Sequence, residues 1–245
     1  FTAYAWSDHW FNNNETVRDW SFGLLRRDLT EKPALTALSQ EMATITGPPL
    51  PDSPPKISVI VCTHNGAKRL QSCLDACRAM HYPDFEIIVI NDGSTDGTKS
   101  LLDSMEGITV HHLPASGLSA ARNFGAEQAS GEIVAFTDDD CQPDRDWLSW
   151  LALTFSTTGH AAVGGPNLPP PTASSKIAVT ATAPGAPTHV MLSDTEAEHL
   201  PGCNLSILKT AYDEIGGFDP LFRTAGDDVD VCWRLREAGN GLRPC

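Results

Sequence analysis

Apolar residues gather in short, nearly unbroken runs at 57–62 (ISVIVC), 85–90 (FEIIVI), 108–111 (ITVH) and 133–136 (IVAF). Runs this short and this rich in Val and Ile fit strands covered on both faces, and the stretches between them suit crossover helices. The order is βαβ, which predicts an open, mostly parallel α/β sheet flanked by helices. In the first crossover Leu70, Cys73, Leu74 and Cys77 recur at helical spacing and form one apolar stripe. A second helix is predicted to start near Asp96, whose carboxylate can cap free backbone amides, and a third covers 118–131. Further helices are expected from about Asp144, over 206–215 and over 228–238. Right-handed crossovers align the C-terminal ends of the strands along one edge, where ligands of such sheets bind.

The run GPPLPDSPP at 47–55 sustains neither helix nor central strand and is read as a linker. It separates an N-terminal arm, 1–46, from a larger domain, 56–245. Within that domain 164–200 is rich in Pro, Ala and Thr and shows little periodicity, so a long loop with a lid role is expected there.

Charge narrows the choice of partner. The formal net charge of -14 over 245 residues disfavours nucleic acid and anionic membrane surfaces. A nucleoside diphosphate stays open if a divalent cation bridges it to the protein. No stretch approaches the roughly 20 apolar residues that span a bilayer. The seven cysteines have no CxxC pair or framework spacing and are read as free thiols, Cys73 and Cys77 as core side chains.

Three acidic clusters carry candidate chemistry. Asp92, in NDGSTDGT at 91–98, ends the second strand, where a carboxylate can accept from a ribose hydroxyl or a base edge; NDG alone is also a good turn sequence. Thr63, His64, Asn65 and Gly66 form a polar turn on the same edge, with no GxGxxG, which disfavours a dinucleotide. After the fourth strand stand Asp138, Asp139 and Asp140, whose mutual repulsion calls for a neutralising cation. Alternation along an extended chain puts Asp138 and Asp140 on one side, and hard oxygens suit Mg²⁺ or Mn²⁺. Asp227, Asp228 and Asp230 open the last helix, where carboxylates also suit the helix dipole. His64, His111, His112, His160, His189 and His199 lack metal-ligand spacing.

In this order ISVIVCTHNG at 57–66, NDGSTDGT at 91–98, FTDDD at 136–140 ahead of Trp147-Leu148, and IGGFDPLFRTAGDDVDVCWRL at 215–235 resemble the family 2 glycosyltransferases of GT-A fold. The resemblance runs from Lys56 to the C-terminus. It implies inverting transfer of a sugar from a nucleoside diphosphate sugar, a UDP-sugar first, to the hydroxyl of a glycan, a lipid-linked or another acceptor. Position by position, it implies that Thr63, Asn65 and Asp92 line the nucleotide pocket, with Arg122 and Asn123 at its border. It further implies that Asp138 contacts the nucleotide, that Asp140 holds the metal beside it, and that Asp228, with Asp227, supplies the base.

Two departures stand out. Asp227-Asp228 replaces the family's usual Glu-Asp, and the family's segment beyond the last helix, which often carries a histidine, is missing. A domain truncated at its C-terminus is therefore expected. FTAYAWSDHWF at 1–11, with Asp19-Trp20-Ser21-Phe22-Gly23-Leu24 and Lys32-Pro33-Ala34, resembles the last strand and helix of a glycoside-hydrolase-like (β/α)₈ barrel; no catalytic residue is assigned there. The alternative function is a non-catalytic nucleotide-sugar or carbohydrate binding module. The expected location is the cytoplasm, or the cytoplasmic face of a membrane reached through parts outside this chain.

Overall fold

The computed structural model describes residues 5–7, 11–12, 15–16, 23–26, 28, 30–43, 47–165, 167, 190–191 and 195–244. The chain divides into two compact units, Phe1–Pro48 and Pro49–Cys245. In the first, β1 (Ala5–Ser7) pairs in parallel with β4 (Gly23–Leu25), while β2 (Phe11–Asn12) and β3 (Glu15–Thr16) pair antiparallel, and α1 (Pro33–Ala43) follows.

The second unit is built on a seven-stranded sheet. Its strands are β5 (Ile57–Thr63), β6 (Phe85–Asp92), β7 (Thr109–Leu113), β8 (Ile133–Asp138), β9 (Ala162–Gly164), β12 (Leu205–Leu208) and β13 (Leu242–Pro244), in the order β13-β9-β12-β8-β5-β6-β7. The pairs β5/β6, β6/β7, β5/β8 and β9/β13 are parallel, and β12 runs antiparallel to both β8 and β9. The sheet is thus mostly parallel and flanked by helices, as the βαβ pattern predicted. A two-stranded pair, β10 (Val190–Met191) with β11 (Ala197–His199), stands apart from it.

Alternation sorts the strand residues between two cores. Ile57, Val59 and Val61 meet α2 (Leu70–Arg78), α3 (Thr98–Asp103) and α5 (Trp147–Thr158) on one face, where the buried residues of α2 are Leu70, Cys73, Leu74 and Cys77. Ile60, Ile90 and Phe136 meet α4 (Leu118–Gln128), α6 (Lys209–Glu214) and α7 (Asp227–Glu237) on the other. Burying one such side chain stabilises by roughly 1.5–3 kcal/mol, so the two-sided core accounts for the continuous apolar strands.

Local boundaries shift for identifiable reasons. The helix expected over 206–215 starts only at Lys209, because Leu205–Leu208 is drawn into the sheet between β8 and β9. The helix expected near Asp96 begins at Thr98 with Gly97 at its N-cap; Asp96 stands one residue earlier, its Oδ1 accepting the Thr98 N–H at 2.9 Å and its Oδ2 the Ala67 N–H at 3.2 Å. Most of 164–200, with the expected lid, lies outside the described residues. Among the described residues no helix is long and apolar enough to cross a membrane.

Candidate active site

Register brings the ends of three strands together: Thr63 pairs with Asn91, and Cys62 with Asp138. The strand order reverses here, since β6 lies on one side of β5 and β8 on the other, the place where open α/β sheets bind ligands. A cavity of about 320 Å³ opens at this edge, lined by Thr63, His64 and Asp92 on the strand side and by Ala115, Leu118 and Ala121 on the α4 side. Asp92 is buried and holds the loop before α4: its Oδ1 accepts the Ser116 N–H at 2.6 Å and the Ser116 hydroxyl at 2.9 Å, and its Oδ2 accepts the Gly117 N–H at 2.9 Å.

The three carboxylates after β8 part company. The strand ends at Asp138 and a turn follows, so simple alternation stops there. Asp139 is buried, accepting the Thr63 hydroxyl at 2.6 Å and an ion pair from Arg69 at 3.0 Å. Asp138 accepts from Arg122 Nη2 at 3.0 Å through Oδ1. Asp140 is exposed, and among the described residues its carboxylate accepts from the Cys141 thiol, at 3.9 Å. Burial and the neighbouring Asp140 push the Asp138 carboxyl above its usual pKa, against the opposing pull of Arg122.

Arg122 is the hub of the site. Its side chain is 4% exposed, and its Nη1 donates to Asp227 Oδ2 at 2.5 Å while Nη2 donates to Asp138 and to the Gly202 carbonyl at 3.2 Å. Burial opposes its charge, yet Asp227 and Asp138 outweigh that and hold its pKa above the usual arginine value. The Gly202 N–H in turn donates to Asp228 Oδ2 at 2.9 Å. A Cβ on Gly202 would stand 2.8 Å from Arg122 Nη1, so this turn approaches the guanidinium as only glycine allows. Asp138, Asp227 and Asp228, from two elements far apart in sequence, therefore share one hydrogen-bonded network.

Asn65 and Asn123 both make hydrogen bonds that hold turns together. Asn65, in the left-handed region at φ 56°, accepts the Thr95 N–H at 2.8 Å through its side chain and ties two turns together. Asn123 accepts the Phe218 N–H at 2.8 Å and donates to the Phe218 carbonyl at 2.8 Å, locking the Gly216-Gly217 turn to α4. Neither is among the residues lining the cavity, nor is Arg122, although its neighbour Ala121 is. Arg223 and Thr224 line it without having been singled out in the sequence. Both lie inside the stretch 215–235 that carries part of the resemblance, just ahead of the third acidic cluster.

Among the described residues no three His, Cys, Asp or Glu side chains converge as a self-sufficient metal site. Asp138 and Asp140 stand near enough for the charge of Asp140 to act on the Asp138 carboxyl.

Residues 58–216 match the model of glycosyl transferase family 2. The chain belongs to that family. Relatives include the pre-mycofactocin glycosyltransferase of Mycobacterium tuberculosis, 30% identical over 82% of this chain and 44% of its own length. The glycosyltransferase AglE of Haloferax volcanii is 40% identical over 45% of this chain and 39% of its own. The chain thus spans about two fifths of the length of these curated relatives. Among solved structures, Staphylococcus aureus TarS in complex with UDP superposes with a TM-score of 0.63 at 19% identity, covering 78% of this chain and 57% of its own. The mannosyltransferase PcManGT of Pyrobaculum calidifontis, in complex with GDP-Man and Mn²⁺, gives 0.62 at 20% identity, covering 86% and 61%. These likenesses establish the GT-A fold for the family 2 domain described above.

Proposed function

We propose that this chain is the catalytic domain of an inverting, metal-dependent glycosyltransferase that moves a sugar from a nucleoside diphosphate sugar to a hydroxyl acceptor. One observation carries the reading: Arg122 joins Asp138, on the donor side, to Asp227, whose neighbour Asp228 faces the Gly202 turn. A single in-line displacement needs those two carboxylate sites, one beside the leaving diphosphate and one beside the incoming hydroxyl. Asp228 takes the acceptor's proton as the acceptor oxygen bonds to the anomeric carbon. The bond from that carbon to the diphosphate oxygen breaks, and its electron pair leaves with the nucleoside diphosphate. Asp227 is held by Arg122 and fixes the helix start that presents Asp228.

Thr63 and Asp92 form the nucleoside end of the cavity, with Asn65, Arg122 and Asn123 as its frame. Asp140, with Asp138, would hold Mg²⁺ or Mn²⁺ against the diphosphate, and the bound cation would offset the negative charge of the leaving group. The UDP complex of TarS and the GDP-Man and Mn²⁺ complex of PcManGT support a nucleotide donor and a divalent ion. The acceptor is a glycan, lipid-linked or other hydroxyl compound, and the cytoplasm or the cytoplasmic face of a membrane is the expected location. The parallel pair β1/β4 followed by α1 supports reading the N-terminal unit as a barrel remnant.

Titration of UDP and GDP with and without Mn²⁺, on the wild type and Asp140→Ala, tests this reading. Binding by one nucleotide that Mn²⁺ strengthens, and that loses the Mn²⁺ effect in Asp140→Ala, is expected. No binding by either nucleotide would overturn the proposal; binding without sugar transfer from any donor would leave a binding module.

A further inference from the structure

Among the described residues that line the cavity at the strand ends there is one arginine; it lies inside the stretch 215–235, but no role was assigned to it there. Arg223 lines the cavity together with Thr224 and Asp92. Its backbone is fixed: the Arg223 carbonyl accepts the Leu118 N–H at 2.9 Å, and the Ser119 hydroxyl donates to the carbonyl of Phe222. The fit is close, because a Cβ on Gly117, at φ 99°, would lie 3.0 Å from the Arg223 Cβ. The side chain, by contrast, is exposed and makes no hydrogen bond or ion pair with another described residue. An arginine whose backbone is held against the start of α4, and whose guanidinium has no partner among the described residues, is available to a ligand in the cavity.

The wall chemistry says which part of a ligand it meets. Ala115, Leu118 and Ala121 offer small apolar surface, and the N–H groups of Ser116 and Gly117 are already spent on Asp92. Such a slot suits a flat ring better than a phosphate, and neither Asp138 nor Asp140 is among the residues that line it. Resting on the proposed donor reading, we infer that Arg223 covers the nucleobase of the donor, its guanidinium plane stacked over the ring, and is a positioning residue for the reaction. It stands four residues before Asp227, so a base held under Arg223 also orders the segment that leads into the Asp227-Asp228 dyad. Donor occupancy and placement of the base residue are coupled through that short segment.

Titration of UMP, UDP, GMP and GDP into the full chain, as wild type, Arg223→Ala and Arg223→Lys, tests the assignment. For the nucleotide pair the wild type prefers, Arg223→Ala is expected to weaken monophosphate and diphosphate by the same factor, about tenfold. Arg223→Lys should recover little, since an ammonium does not stack as a guanidinium plane does. Amide hydrogen exchange at 222–226 should slow on nucleotide addition in the wild type and not in Arg223→Ala. Unchanged affinity in Arg223→Ala overturns the inference while leaving the donor reading intact. A loss confined to the diphosphate and restored by lysine also overturns it, placing Arg223 on the phosphates. A wild type that binds none of the four fails the donor reading, and the inference falls with it.

Discussion

Arg122 Nη1 donates to Asp227 Oδ2 at 2.5 Å across 105 residues of sequence, and both side chains are almost fully buried. Burying two charges costs solvation that only close, well-hydrogen-bonded contact offsets, so each partner depends on the other. Arg122→Ala should leave Asp227 buried and unpaired, with Asp138 losing its cation. Removing one partner of a buried pair typically costs about 3–5 kcal/mol, so urea denaturation should show a lowered midpoint with little change in slope. A loss under 1 kcal/mol would mean that solvent reaches the pair.

Asp228 should behave in the opposite manner. It is part-buried, its Oδ2 accepts only the Gly202 N–H, and no cation pairs with it among the described residues. Asp228→Asn is therefore expected to leave stability within about 1 kcal/mol of wild type. Sugar transfer should fall by about 10²- to 10⁴-fold, the usual contribution of a general base. Nucleotide affinity should not move, and a parallel loss of affinity would assign Asp228 to the donor side.

The strands and the stripe of α2 were legible because alternation and helical spacing are local properties of the chain, and each carried a redundant signal. The acidic clusters were legible as sites, while the division of labour inside them was not. Asp139 differs from Asp138 and Asp140 because Thr63 and Arg69 reach it from the first crossover. The resemblance implies Asn65 at the nucleotide pocket and Asn123 at its border, and the contacts each makes with a distant turn are visible only in the fold. The strand at Leu205–Leu208 reads as helix by sequence alone, and it is the antiparallel slot between β8 and β9 that decides it. Arg223 lies within the stretch 215–235, yet nothing in that stretch says that it lines the cavity; only the fold brings it there.

Glu86 gives a pH dependence with a defined sign. Burial would raise its pKa, but hydrogen bonds from the Ser58 hydroxyl at 2.6 Å, the Ser130 hydroxyl at 2.7 Å and the Ser130 N–H at 2.8 Å outweigh it and lower the carboxyl below its usual 4.5. The folded state thus prefers the charged form, so the stabilisation is complete above pH 4.5 and fades as pH falls through the lowered folded value. Urea midpoints of the wild type should drop below pH 4.5 more steeply than those of Glu86→Gln, and identical profiles would exclude the linkage.

Cys62 lines the cavity, yet it should not react. Burial pushes its thiol up to about 12, with Arg122 opposing and Asp138 and Asp92 adding to the shift. The thiolate, which is the reactive form, is then scarce at neutral pH. Native protein treated with iodoacetamide at pH 7.5 and mapped by mass spectrometry should show Cys62 unmodified. Modification there at the rate of a free thiol would mean that the strand end is open to solvent.

Gly202 joins the two halves of the site, and replacing it separates steric from electrostatic explanations. An added Cβ would lie 2.8 and 2.9 Å from Arg122 Nη1 and Nη2. The tip of an arginine normally swings aside at little cost, but here Asp227 and Asp138 hold it from two directions. Gly202→Ala should therefore strain the turn and the guanidinium together, at about 1–3 kcal/mol. Because the Gly202 N–H also orients Asp228, turnover should fall further than stability alone explains. Measuring both in Gly202→Ala and in Gly202→Ala with Arg122→Lys decides the cause. A shorter-reaching cation that recovers stability but not turnover would show that the clash is with Arg122 and that the geometry of Asp228 is what the reaction requires.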